Sequence, residues 1–167
     1  YWNTAVGTGS LQNNTSAYDN TAVGYVALAT NTTGSYNTAV GFKALNANTT
    51  ANYNTAVGIH TLLSNTTGIH NTGVGVQALQ SITTGNFCTS VGVNSLLNGN
   101  SDYRVAVGES AMFNGGSFGN TAIGGQALYT STATGNSAVG YKAGYSCGSS
   151  SNNSFLGYEA GRDITLN

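Results

Sequence analysis

The sequence predicts an all-β fold: a β-solenoid, or parallel β-roll, of about ten coils of 16–17 residues each. Three observations predict it. A glycine-phased repeat runs through the whole chain, two apolar columns keep its phase, and the 167 residues carry 5% charge and Pro 0. A soluble globular domain has roughly 25% charged residues, so the surface of this chain must be polar without being charged.

The pentapeptide Asn-Thr-Ala-Val-Gly starts at Asn3, Asn20, Asn37 and Asn54 and continues in altered forms. Its glycine falls at Gly7, Gly24, Gly41, Gly58, Gly75, Gly92, Gly108, Gly124, Gly140 and Gly157, at spacings of 17 five times, 16 three times and 17 once. A unit this short cannot hold a helix pair or a propeller blade. It suits one coil of two short strands and two turns, because Thr and Val beside the glycine favour strand and Asn-Thr-Thr-Gly at 31–34 and 65–68 favours a turn. Dense Gly, Asn and Thr oppose helix, and no 3.6-residue stripe appears. Ten coils stacked about 4.8 Å apart give a rod of roughly 45–50 Å.

The core is expected in two columns. One residue before the glycine sit Val6, Val23, Val40, Val57, Val74, Val91, Val107, Ile123, Val139 and Leu156, and four after it sit Leu11, Leu28, Leu45, Leu62, Leu79, Leu96, Met112 and Leu128. Asn3, Asn20, Asn37, Asn54, Asn71, Asn120, Asn136 and Asn153 form a third column, whose amides can bond up and down the stack. Like charges in such columns would repel from coil to coil, and proline would remove ladder donors. A Val and a Leu per coil contribute about 1.5–3 kcal/mol each, against roughly 1–2 kcal/mol for ordering every residue. Further burial is therefore expected between chains, through the small columns two before the glycine (Ala5, Ala22, Ala39) and three after it (Ala27, Ala44, Ala78).

One array spans residues 1–167, with regular Ala–Leu coils over 1–135 and altered Ala–Gly coils over 136–167, where Gly144 and Gly161 enter the leucine column. The chain opens inside a motif at Tyr1, which is expected of a segment of a longer fibrous protein.

Composition narrows the function. Lys plus Arg number 4, so no basic patch can neutralise a phosphate backbone and no nucleic-acid partner is expected. No apolar run approaches the roughly 20 residues of a membrane span, so no membrane insertion is expected in this segment.

Asn136-Ser137-Ala138-Val139-Gly140 and the related pentapeptides resemble the Asn-Ser-Val-Ala-Ile-Gly repeats of YadA-like heads in trimeric autotransporter adhesins. The unit is also similar to repeats of phage-type tail fibres and of surface proteins that end in an endosialidase-type chaperone domain. The closing stretch, Asn153-Ser154-Phe155-Leu156-Gly157-Tyr158-Glu159-Ala160-Gly161, resembles the last group most. The resemblance implies a left-handed parallel β-roll assembled as a homotrimer, in the head or shaft of an extracellular fibre that attaches to a surface.

No catalytic, cofactor-binding or metal site is expected. Asp19, Asp102, Glu109, Glu159 and Asp163 fall in different phases, and no Gly-x-Ser-x-Gly elbow occurs. His60 and His70 have no Cys or carboxylate nearby in sequence. Cys88 and Cys147 lie three to four coils apart, beyond the roughly 7 Å Cα limit of a disulfide, so no intrachain bridge is expected. Asn13, Asn14, Asn31, Asn48, Asn65 and Asn152 match the glycosylation sequon, and because Asn31, Asn48 and Asn65 share a repeat phase, duplication of a turn explains them more economically than selection for glycans. Phe113, Tyr129 and Tyr145, five after the glycine, are candidate surface-binding aromatics.

The expected function is therefore that of a non-enzymatic structural and adhesive segment of a fibre, located extracellularly at a cell or virion surface. Its partners would be its own copies, in a homotrimer or an end-to-end filament, and a cell-surface glycan or protein receptor. A second expectation is an ice-binding solenoid, from the column Thr4, Thr21, Thr38, Thr55 and Thr72. A solenoid enzyme degrading polysaccharide comes third, because it needs a carboxylate cluster.

Overall fold

A computed structural model describes residues 2–115 and 117–164 of the chain. Tyr1, the expected mid-motif opening, lies outside the described residues. The fold is a β-solenoid built on one ten-stranded parallel sheet in sequential order. Its strands are β1 (Thr4–Val6), β2 (Thr21–Val23), β3 (Thr38–Val40), β4 (Thr55–Val57), β5 (Thr72–Val74), β6 (Thr89–Val91), β7 (Val105–Val107), β8 (Thr121–Ile123), β9 (Ser137–Val139) and β10 (Ser154–Leu156). Pairing stays in phase with the repeat, Thr21 on Thr38, Ala22 on Ala39 and Val23 on Val40, and persists across the 16-residue units, where Val105 meets Thr121.

Each coil contributes one strand rather than the expected two. The opposite wall is a run of turns, because residues two and four after the glycine take positive φ, as at Lys43 (56°) and Leu45 (51°). That breaks the pleat, yet the coils still bond to one another: the amide of Leu28 donates to Ala44 O at 3.0 Å and that of Leu45 to Thr61 O at 3.0 Å.

The core differs from the expected one in half of its membership. The leucine column is interior, from Leu28 to Leu96, Met112 and Leu128 at 0% exposure, with Leu11 at the first coil nearly so. The valine column is not. Val57, Val74 and Val91 are 37–38% exposed, Ile123 and Val139 are as open, Val6 and Leu156 more so, and Val23, Val40 and Val107 are half-buried. The reason is the two-residue pleat: in Thr-Ala-Val the central alanine points inward, which sends threonine and valine outward together. The interior is also narrow, since leucine reaches across from the turn wall and leaves room for only a methyl group. Beside it, a Cβ added at Gly73 would collide with the Thr61 methyl.

The small columns accordingly line the interior and do not face another chain. Ala22, Ala39, Ala56, Ala106, Ala122 and Ala138 are fully buried on the strand wall, as are Ala27, Ala44, Ala78, Ala111, Ala127 and Ala143 on the other. Departures in one column are matched in its counterpart. Thr61 faces Gly73, Ser90 Oγ bonds Ser95 Oγ, and Phe155 replaces alanine where Gly144 and Gly161 replace leucine. A side chain on either glycine would meet the Phe155 ring, which thus fills from the strand side the space that leucine fills elsewhere.

Two asparagine ladders close the core. Asn54 is typical: its Oδ1 accepts the Asn71 amide at 2.9 Å, and its Nδ2 donates to Gly68 O at 2.8 Å. The second ladder is Asn14, Asn31, Asn48 and Asn65, in which Asn48 Nδ2 donates to Asn31 Oδ1 at 2.8 Å. Asn31, Asn48 and Asn65 are fully buried, so these three sequon asparagines serve the turn and are closed to glycan transfer in the folded chain. Cys88 and Cys147 are both free and buried, as the coil separation requires.

Candidate binding surface

The strand wall presents its outer side as parallel rows. Moving across it, residues five before the glycine turn a corner at positive φ, threonine stands three before, valine one before, and a variable residue one after. The threonine row is Thr4, Thr21, Thr38, Thr55, Thr72 and Thr89, then Val105, Thr121, Ser137 and Ser154. Its hydroxyls have no protein partner among the described residues. By contrast Thr15, Thr32, Thr49 and Thr66, on another wall, each donate to a carbonyl of the next coil.

Beyond the valines the row after the glycine adds Tyr25, Phe42, Ile59, Val76, Val93, Tyr141 and Tyr158, all exposed. Tyr25 stacks on Phe42 at 5.5 Å and Tyr141 on Tyr158 at 5.5 Å, while His60 tilts against Phe42. The glycine between the two rows has no side chain and cannot gain one, because at Gly41 (φ 136°) a Cβ would strike the carbonyl of Gly58. Val and its neighbour therefore form an apolar band with a glycine floor, interrupted at Thr8, Glu109 and Gly125. Over ten coils it measures on the order of 400 Å², the size at which exposed apolar patches mark interaction sites.

On the opposite rim the corner residues make an aromatic ladder. Tyr36, Tyr53, His70, Phe87 and Tyr103 stack in succession at centroid spacings of 4.8–5.1 Å with planes within 10°. Tyr18 and Phe118 close its ends edge-on at 5.3 and 5.4 Å. All seven are exposed. A side-chain hydrogen bond with Tyr18, followed by desolvation and nearby negative charge, raises the Tyr36 phenol above its ordinary pKa.

Phe113, Tyr129 and Tyr145 lie elsewhere, on the turn wall. They are half-buried and stack on one another at 5.1 and 5.0 Å, with Lys142 over Tyr145, so ring contact between coils accounts for them. The corner ladder was the more exposed set, and the sequence did hold its signal: five of its members stand five residues before successive glycines.

Two of the carboxylates, Glu159 and Asp163, come together on one arginine, Arg162, at 3.3 Å each, and Asp102 accepts the Asn86 amide at 2.7 Å. No protein family, curated protein or solved structure matches the chain.

Proposed function

We propose that this chain is a non-catalytic structural and adhesive segment of an extracellular or virion fibre, assembled as a homotrimer. The observation that supports it is the largely apolar band along the rod, which the exposed carboxylate of Glu109 interrupts. Isolated, such a band would favour association, and closed symmetric self-association is the common outcome for one repeated surface. Stacked ladders supply stiffness, and several copies in one fibre give avidity for a glycan or protein receptor. Sedimentation equilibrium tests the assembly: a mass of three chains is expected for the purified protein, falling to one chain in Val57→Lys/Val74→Lys. A folded wild type that stays at one chain over the micromolar range overturns it.

A second reading, an ice-binding solenoid, is favoured by one specific observation. The outward Thr and Val rows form a two-dimensional array at strand spacing, with unpartnered hydroxyls and methyl groups alternating along each strand. Thermal hysteresis decides between the readings, since clear hysteresis in wild type that is lost in Thr55→Lys supports the second and its absence supports the first.

A further inference from the structure

We propose that the corner ladder is a docking rail for an extended, neutral β-linked polysaccharide, one sugar ring per coil. This rests on the adhesive reading above and names its partner class. Carbon surfaces touch at about 3.5–4.0 Å, so parallel rings with centroids 4.8–5.1 Å apart must be slipped sideways, by on the order of 3 Å. The rings of Tyr36, Tyr53, His70, Phe87 and Tyr103 are thus offset rather than eclipsed, which leaves part of each face uncovered by its neighbour, and all five residues are exposed, Tyr53 and Tyr103 by half. Part-open aromatic faces are what the C–H side of a pyranose packs against.

Three further features fit the same partner. The pitch matches, because an extended β-1,4-linked chain advances one ring over nearly the distance that separates these coils. Two residues along each strand, roughly 6.6 Å away, the threonine row offers unpartnered hydroxyls at the same pitch, able to donate to and accept from sugar hydroxyls. Charge is complementary to a neutral polymer: near the ladder stand Asp19 and Asp102 but no lysine or arginine side chain on the ladder or threonine rows. An anionic glycan would meet repulsion without a counter-charge. Six ring spacings from Tyr18 to Phe118 give a rail of roughly 30 Å, enough for a hexasaccharide.

Isothermal titration of the full chain with cellohexaose, chitohexaose and the β-1,4-linked anionic hexamannuronate tests the rail. The expected result is saturable binding of at least one neutral hexamer and at least tenfold weaker binding of hexamannuronate. Tyr53→Leu/Phe87→Leu should weaken the neutral hexamer at least tenfold, while Phe113→Leu/Tyr129→Leu, on the other wall, should leave it unchanged. Should the ladder variant fail to melt cooperatively, Thr55→Val/Thr72→Val reads the hydroxyl row instead, with a loss of threefold or more expected. Wild type that ignores both neutral hexamers, or a folded ladder variant with undiminished affinity, overturns the proposal. The adhesive reading fails separately: it falls if the immobilised wild-type chain retains no cells, matrix or particles. A chain that attaches to such surfaces but ignores the hexamers overturns the rail alone.

Discussion

Asn54 carries the arithmetic of a single residue in this fold. Its carboxamide accepts from one coil and donates to the turn of its own, and both contacts are buried. Asn54→Ala leaves the Asn71 amide without an acceptor and Gly68 O with only the 3.0 Å bond from Asn65. An orphaned buried donor costs about 1–3 kcal/mol and the lost bond about 1 more, so a loss of about 2–4 kcal/mol is expected in urea unfolding. Val57 and Leu62 make a second, opposite pair. They belong to the two apolar columns on which the repeat rests, yet only Leu62 is interior. Leu62→Ala should cost about 2–5 kcal/mol by transfer and cavity terms. Val57→Thr in the dissociated chain should stay within about 1 kcal/mol, as surface exchanges do. Equal losses would place valine back in the core.

At the scale of the coil, the two walls are fitted to each other rather than separately filled. Thr61 takes the place of an alanine on the turn wall, and in the next coil Gly73 takes the place of one on the strand wall. Gly73→Ala alone drives its methyl group into the Thr61 side chain and should cost about 1–3 kcal/mol by overpacking. Gly73→Ala with Thr61→Ala restores the common pair and should recover most of that loss, giving a coupling of about 1–2 kcal/mol in a double-mutant cycle. Additive losses would show that the walls do not touch there. Such pairing explains what could be read in advance. Period, strand position, the asparagine ladder and the leucine column all follow from identical residues recurring in phase, so β1 to β10 were legible. The side on which valine lies was not, because valine and alanine are both apolar and only the pleat distinguishes them. The second wall misled for a related reason: positive φ recurs two and four residues after each phase glycine, as at Lys43 and Leu45, and no turn residue announces it. The corner ladder was legible in phase but concealed by its mixed membership of Tyr, His and Phe.

Over the whole rod, stability is a sum over coils and their interfaces, so the weakest interface decides where it opens. The asparagine zipper is continuous from Asn3 to Asn71, whose Oδ1 accepts the Cys88 amide at 3.0 Å, and resumes at Asn120, whose Oδ1 accepts the Asn136 amide at 2.8 Å. Between them stand Cys88 and Arg104, and neither side chain offers a carboxamide oxygen. The main-chain N–H groups of Arg104 and Asn120 have no acceptor among the described residues. Arg104 itself is fully buried; it reaches Gly115 O and Gly99 O at 3.2 Å each, and among the described residues it has no carboxylate partner and its Nε is unpaired. This seam coincides with the change from 17- to 16-residue units. Cys88 already points its thiol at Ser101 O, 3.3 Å away, so an asparagine there can donate to the same carbonyl and present Oδ1 to the Arg104 amide. Cys88→Asn should therefore stabilise the rod by about 0.5–1.5 kcal/mol, the net value of one recovered hydrogen bond, and slow exchange of the Arg104 amide before any other. A variant that melts lower than wild type, or whose Arg104 amide exchanges as fast, would mean that the rod does not open at this seam.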